Sequence, residues 1–267
     1  MKAYSFLGTF LISFLLLTLC FVSTYADPNW AVQTVDVNGA GFAMGSCPIA
    51  LDSSNNPHIA YTGFANSTTF VMYASWNGSG WSTQIVAYGA VFDLVLDVYG
   101  NPHILFIKSN PGGGYLGQKG LSYASWAELN WTIQTVDQEF VRGFGSVALD
   151  SSGNPHIAYA DIPYGNVVSM VNYAIWEGSN WNVQRVDTAG TTSEYFLGSV
   201  SLELDSNNTP YVMYGIYYQE NGTESAKIAV YNDSKWNIQT VASNLVGFGN
   251  MVLDSKDHPH LTYQSAR

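Results

Sequence analysis

Two carboxylates and a set of histidines are the residues of this chain whose types and spacing could do chemistry. Asp93 stands four residues before the turn residue Asp97, and Glu203 two residues before the equivalent Asp205, each within an otherwise apolar run. Two carboxylates facing each other across a cleft are the minimum equipment for cleaving a glycosidic bond. The competing reading is a wet, polar wall of a central channel. The histidines, His58, His103, His156, His258 and His260, all lie beside a recurring proline. Imidazoles can ligate metals or move protons, but one per repeat scatters them instead of gathering them at one site. The expected role is therefore a hydrogen-bonded tie between turn, strand and neighbouring repeat. Tyr211 replaces histidine in the fourth copy, as a packing role permits. No histidine is left over for a Ser-His-Asp or Cys-His arrangement. The turn aspartates Asp52, Asp97, Asp150, Asp205 and Asp254 recur without the alternating acidic ladder of a calcium loop, which points to turn capping. No metal or other cofactor is expected.

The elements that must position these groups are repeats. Trp30, Trp81, Trp131, Trp181 and Trp236 each open a W-x-x-Q motif, and successive copies lie 51, 50, 50 and 55 residues apart. A second motif begins at Leu51, Leu96, Leu149, Leu204 and Leu253, as in LDSSGNPHIAY. A third reads Tyr73-Ala74-Ser75-Trp76, with copies ending at Trp126 and Trp176 and a degenerate one at Ile228–Tyr231. Alternation after the proline predicts a strand, the Asp-x-x-Gly/Asn-x-Pro stretch a turn, and Asn77-Gly78 the bend of a hairpin. Each repeat then holds four short antiparallel strands, A to D, of the SVALD, PHIAY, YASW and WxxQ types. Four strands per period of about 50 residues predicts an all-β fold, a β-propeller of four-stranded antiparallel blades with about five repeats. The propeller domain is placed at residues 27–267, with repeats beginning near 30, 81, 131, 181 and 236.

The motif set resembles secreted bacterial and archaeal propeller repeats of the sialidase-like, BNR-related type, over essentially residues 30–263. The resemblance implies a fold that hosts both enzymes and binding modules. A sialidase site needs three clustered arginines and a Tyr–Glu nucleophile pair. The chain after its leader has only Arg142, Arg185 and Arg267, and the Phe-Arg-Ile-Pro motif is absent. The resemblance to sialidases is thus one of fold, not of active site.

Composition and charge exclude some partners. With 9 Lys and Arg against 20 Asp and Glu, the chain cannot neutralise a run of phosphates, so nucleic acid is not an expected ligand. Residues 1–26 read as a secretory signal: Lys2, an apolar run from Phe6 to Val22, then Thr24-Tyr25-Ala26 before the cut. The other reading is an uncleaved anchor, the one route by which a membrane would enter. Removing the leader removes Cys20 and leaves Cys47, read as a small buried residue near the start of strand A. The orphan D strand at Trp30 and the A–B pair that follows Trp236 leave a last repeat without its C strand. Two readings stand: a ring with one defective blade, or a fragment of a larger propeller.

The A–B and C–D connections are short and alike, whereas the B–C and D–A connections vary and emerge on one face. They carry Tyr115, Tyr164, Tyr195, Tyr217 and Tyr218, with Phe64 and Glu224. Aromatic residues among neutral polar ones suit sugar or peptide recognition on a rigid scaffold. The function expected is an exported, non-catalytic propeller binding a carbohydrate or protein at the cell surface. The alternatives are a glycan-active hydrolase using Asp93 and Glu203, and a structural module of a longer surface protein.

Overall fold

The computed structural model describes residues 32–36, 46–112, 118–139, 143–161, 169–188, 194–218 and 221–265, with backbone alone at 118–119, 194–199 and 248. The leader at 1–26, Trp30, Tyr115, Arg142, Tyr164 and Arg267 lie outside them. The chain divides into two units, Met1–Thr34 and Val35–Arg267. Of the first, residues 32–34 are described and carry no regular structure.

The second unit is built of strands. They are β1 (Ile49–Leu51), β2 (Pro57–Ala65), β3 (Thr68–Trp76), β4 (Trp81–Leu96), β5 (Pro102–Ser109), β6 (Gln118–Ala127), β7 (Asn130–Asp137), β8 (Gly143–Leu149), β9 (Pro155–Asp161), β10 (Met170–Trp176), β11 (Trp181–Thr188), β12 (Glu194–Leu204), β13 (Pro210–Tyr218), β14 (Thr223–Asn232), β15 (Lys235–Leu253) and β16 (Pro259–Ser265). They pair in chain order, antiparallel, into sheets of seven (β1–β7), four (β8–β11) and five (β12–β16) strands. Every B-type strand begins at its proline, the position where a missing N–H costs a ladder least.

The turn chemistry forms as the sequence predicts. Asp52 Oδ1 accepts the N–H groups of Ser54 and Asn56, and the same pattern recurs from Asp97, Asp150, Asp205 and Asp254. The residue three after each aspartate is left-handed: Asn55, Gly100, Gly153, Asn208 and Asp257 have φ of 62–82°. Hydrogen bonds from the Asn56 side chain and backbone hold the Asp52 carboxyl below its ordinary range. At Asp97 and Asp150 burial opposes the same effect and is outweighed.

Two expected loops do not exist. β4 pairs with β3 through Trp81–Tyr88 and with β5 through Gly89–Leu96, so one continuous strand serves as D of one repeat and A of the next. β15 does the same between β14 and β16. Two B–C loops are likewise shorter than expected. β2 and β3 meet at Asn66 and Ser67, both left-handed (φ 50° and 59°), a two-residue hairpin turn. β13 and β14 pair as far as Tyr218 and Thr223. Phe64, Tyr217 and Tyr218 therefore stand on strands.

The core lies between repeats. Tyr73, Tyr123 and Tyr173 of the C strands each make a T-shaped contact with the tryptophan that opens the next repeat's D strand: Trp131 at 5.5 Å, Trp181 at 5.5 Å and Trp236 at 5.2 Å between ring centroids. Tyr hydroxyls of the B strands add a polar latch. Tyr61, Tyr159 and Tyr214 donate to Asp36, Asp137 and Asp187, at 2.7, 2.8 and 2.7 Å.

Candidate functional site

The inner strands β1, the second half of β4, β8, β12 and the second half of β15 bring their equivalent residues to one place. Pro48, Asp93, Ser146, Ser201 and Asn250 each stand four residues before their turn aspartate, and all five line a cavity of about 280 Å3. Its mouth, toward the starts of these strands, carries the exposed Phe144 and Phe92, which is partly buried against the core between the second and third repeats. An adjoining cavity of about 440 Å3 shares Asp93, Ser146, Ser201 and Asn250 and runs to the strand ends, where Glu203 joins the wall. The sequence thus placed Asp93 and Glu203 in one apolar register, and both face the same space.

Their environments differ. Asp93 Oδ2 accepts Ser146 Oγ–H and the Val147 N–H, both at 2.9 Å, and Oδ1 accepts the Leu94 N–H at 2.8 Å. This carboxylate binds β4 to β8. Between β12 and β15 Ser201 has the same role, its Oγ lying between the N–H and C=O of Met251. Burial nonetheless pushes the Asp93 carboxyl up, against the hydrogen bonds from Val147, Leu94 and Ser146. Glu203, half-buried, is raised by burial and further by the charge of Asp93.

A raised carboxyl contributes stability that is complete below its unfolded pKa, about 4, and lost as pH rises through the folded value. Asp93→Asn removes that loss. Urea unfolding from pH 4 to 8 is expected to show the variant gaining on the wild type as pH rises, and a pH-independent difference would refute the shift.

The histidines take the tying role. His58, His103 and His156 share a hydrogen bond through Nδ1 with Tyr73, Tyr123 and Tyr173. Their Nε2 atoms face Asp52, Asp97 and Asp150 at 3.6, 3.8 and 3.7 Å. Each chain of contacts runs from turn to B strand to C strand and then, through the tyrosine ring, to the next repeat's tryptophan. In the fourth repeat Tyr211 and Ile228 replace both members of the His–Tyr pair together. His258 and His260 are exposed, and both approach Asp254.

The aromatic residues proposed as ligand contacts separate. Tyr195 belongs to β12 and pairs through its backbone with Tyr217, which pairs in turn with Glu224. Tyr217 is half-buried at this end of the sheet. Tyr218 is partly buried and packs against the core between the third and fourth repeats. Cys47, expected to be buried, is exposed at the cavity mouth, where it precedes β1 by two residues and none of the described strands covers it. Arg185 lies on β11 opposite Asn172, away from the cavity-lining residues. Phe92 and Phe144 escaped the sequence reading. Phe92 reaches the cavity beside its neighbour Asp93 because the ladder slips between Val91 and Asp93, and such a bulge breaks the alternation that sequence reading relies on.

No family model matches the chain, and no curated protein is similar to it in sequence. Solved structures are similar to it in fold. A protein of unknown function from Dyadobacter fermentans superposes with a TM-score of 0.57 at 10% identity, covering 81% of this chain and 74% of that one. The SapL1 lectin in complex with α-methyl fucoside gives 0.54 at 10%, covering 82% and 73%. The Penicillium chrysogenum α-L-arabinanase complexed with arabinobiose gives 0.51 at 8%, covering 82% and 69%. The chain is an all-β protein of the β-propeller type, and carbohydrate-active proteins are among its neighbours in fold. Nothing at the level of sequence supports the narrower likeness to sialidases.

Proposed function

We propose that this protein is an exported, non-catalytic β-propeller of four-stranded repeats that binds a carbohydrate at the mouth of the cavity between its inner strands. One observation carries the reading. Hydroxyl, amide and carboxylate groups of Ser146, Ser201, Asn250 and Asp93 line a cavity whose mouth holds the rings of Phe92 and Phe144. A sugar ring presents hydroxyls at its edge and C–H groups on its faces, and needs this combination of polar partners and aromatic faces. Tyr217, half-buried at this end of the sheet, is proposed to extend the rim.

Both oxygens of Asp93 are engaged by the fold, which favours binding over turnover. A second reading, glycan hydrolysis, draws on the raised carboxyls of Asp93 and Glu203 within one cavity. Glycan-array screening of the wild-type protein is expected to find a bound saccharide, with affinity falling on the order of tenfold in Phe144→Ala and Tyr217→Ala. An array with no binding ends the proposal. Turnover abolished by Glu203→Gln would replace it with the hydrolase reading.

A further inference from the structure

The second repeat departs from its siblings on the face opposite that mouth. A–B and C–D turns emerge together at one end of each four-strand meander. In the A–B turn, Val98 and Tyr99 occupy positions held elsewhere by Ser53 and Ser54, Ser151 and Ser152, Ser206 and Asn207, and Ser255 and Lys256. In the C–D turn, Leu129 stands where the others have Ser79, Ser179 and Ser234. All three apolar side chains are open to solvent, with Val98 88%, Tyr99 86% and Leu129 83% exposed. The two turns are two strand spacings apart, about 10 Å, so the side chains form one patch.

The fold gains nothing from them. The A–B turn of this repeat closes with the same backbone bonds as the others, Asp97 N–H to Asn101 and Gly100 N–H to Asp97. The side-chain tie between neighbouring A–B turns is absent here whatever residue stands at 98, because its partner position in the third repeat is Gly153. Ser151 pairs with Asn208 at 3.0 and 2.9 Å, and Ser206 with Asp257 at 3.0 and 2.6 Å. Leu129 sits in the left-handed region, φ 66°, where a leucine is strained by roughly 1 kcal/mol. Exposed apolar groups on both turns of one repeat, where every sibling carries polar residues, mark a contact surface and not tolerated drift.

The surrounding charge selects the occupant. Asp52, Asp97, Glu128, Asp150 and Glu177 occupy the turns of the first three repeats on this face, and those turns contain no Lys or Arg. A second copy would bring the same acidic rim against itself. The patch offers no convergent donors and acceptors of the kind that hold a sugar.

We propose that Val98, Tyr99 and Leu129 form a docking surface for a polypeptide partner that presents an apolar side chain flanked by lysine or arginine. The surface is independent of the cavity mouth, so its loss leaves glycan binding intact.

The test is a dye-labelled twelve-residue peptide with a Leu-Trp-Leu centre between lysines, its twin with glutamates, and the triple variant V98S/Y99S/L129S, which restores the sibling residues without changing charge. Anisotropy titration is expected to show the lysine peptide binding the wild type, more weakly as salt rises, with affinity reduced on the order of tenfold in the triple variant. The glutamate twin is expected not to bind, and the triple variant to melt no lower than the wild type. Failure of the lysine peptide to bind, or equal binding by the triple variant, overturns the proposal. So does sedimentation showing wild-type self-association that the triple variant lacks, which would make the occupant a second copy.

Discussion

Trp181→Ala is expected to lower the unfolding free energy by about 3–5 kcal/mol, among the largest effects of any single substitution in this chain. Trp181 packs against the cluster of Leu105, Leu121, Tyr123 and Ile157 that joins the second repeat to the third, and makes a T-shaped contact with the Tyr123 ring. Alanine would leave a cavity at an interface that carries the core. Trp181→Phe is expected to cost much less. It keeps an aromatic edge for Tyr123 and sacrifices no polar contact, because the Trp181 Nε1–H is buried without a hydrogen-bond partner. Urea unfolding of the two variants separates packing from hydrogen bonding. Equal losses would show that ring contact with Tyr123 contributes little.

The second large effect is a non-additive pair. Three B-strand tyrosines donate to the aspartate six residues after the preceding W-x-x-Q tryptophan, but the second repeat carries Phe106 and Ala87 at these positions, so both members are replaced together. Phe106 is fully buried. Phe106→Tyr alone therefore buries a hydroxyl with no acceptor and is expected to cost about 1–3 kcal/mol. Ala87→Asp alone brings a carboxylate to an interface with no donor from position 106 and is expected to destabilise as well. Together they rebuild the latch, and the double variant is expected to recover most of the sum of the two losses. Ser122 would benefit too. Its Oγ is buried and unpartnered, and it occupies the position from which Lys227 reaches Asp187 at 3.2 Å. A double-mutant cycle giving simple additivity would sink this account.

The repeat, its strands and its turn chemistry were all legible in the residues. The Asp-x-x-Gly/Asn-x-Pro turn is local, since one side chain accepts from backbone groups two and four residues away, and the left-handed position announces itself as Gly, Asn or Asp. The histidines were legible as a recurrent tie but not their tyrosine partners, which lie on the facing strand 15–20 residues away, and the joint replacement by Tyr211 and Ile228 is intelligible once the contact is known. Strand boundaries were less legible. Phe64, Tyr217 and Tyr218 sit in stretches whose composition suits a loop, yet pairing with the facing strand extends β2 and β13 through them. The continuity of β4 and β15 was hidden for the same reason. Leaving one sheet and entering the next without a turn has no composition of its own.

Period, turn residues and strand type are short-range or repeated properties, so the sequence alone was enough to establish an all-β repeat protein and to set Asp93 and Glu203 in one register. What surrounds those carboxylates was decided by tertiary structure. The slip that brings Phe92 to the cavity beside Asp93, the engagement of the Asp93 carboxylate by Ser146 and Val147 fifty residues on, and the exposure of Cys47 all depend on how one inner strand meets the next. Contacts of that separation are set by packing between repeats, and no local pattern of residues encodes them.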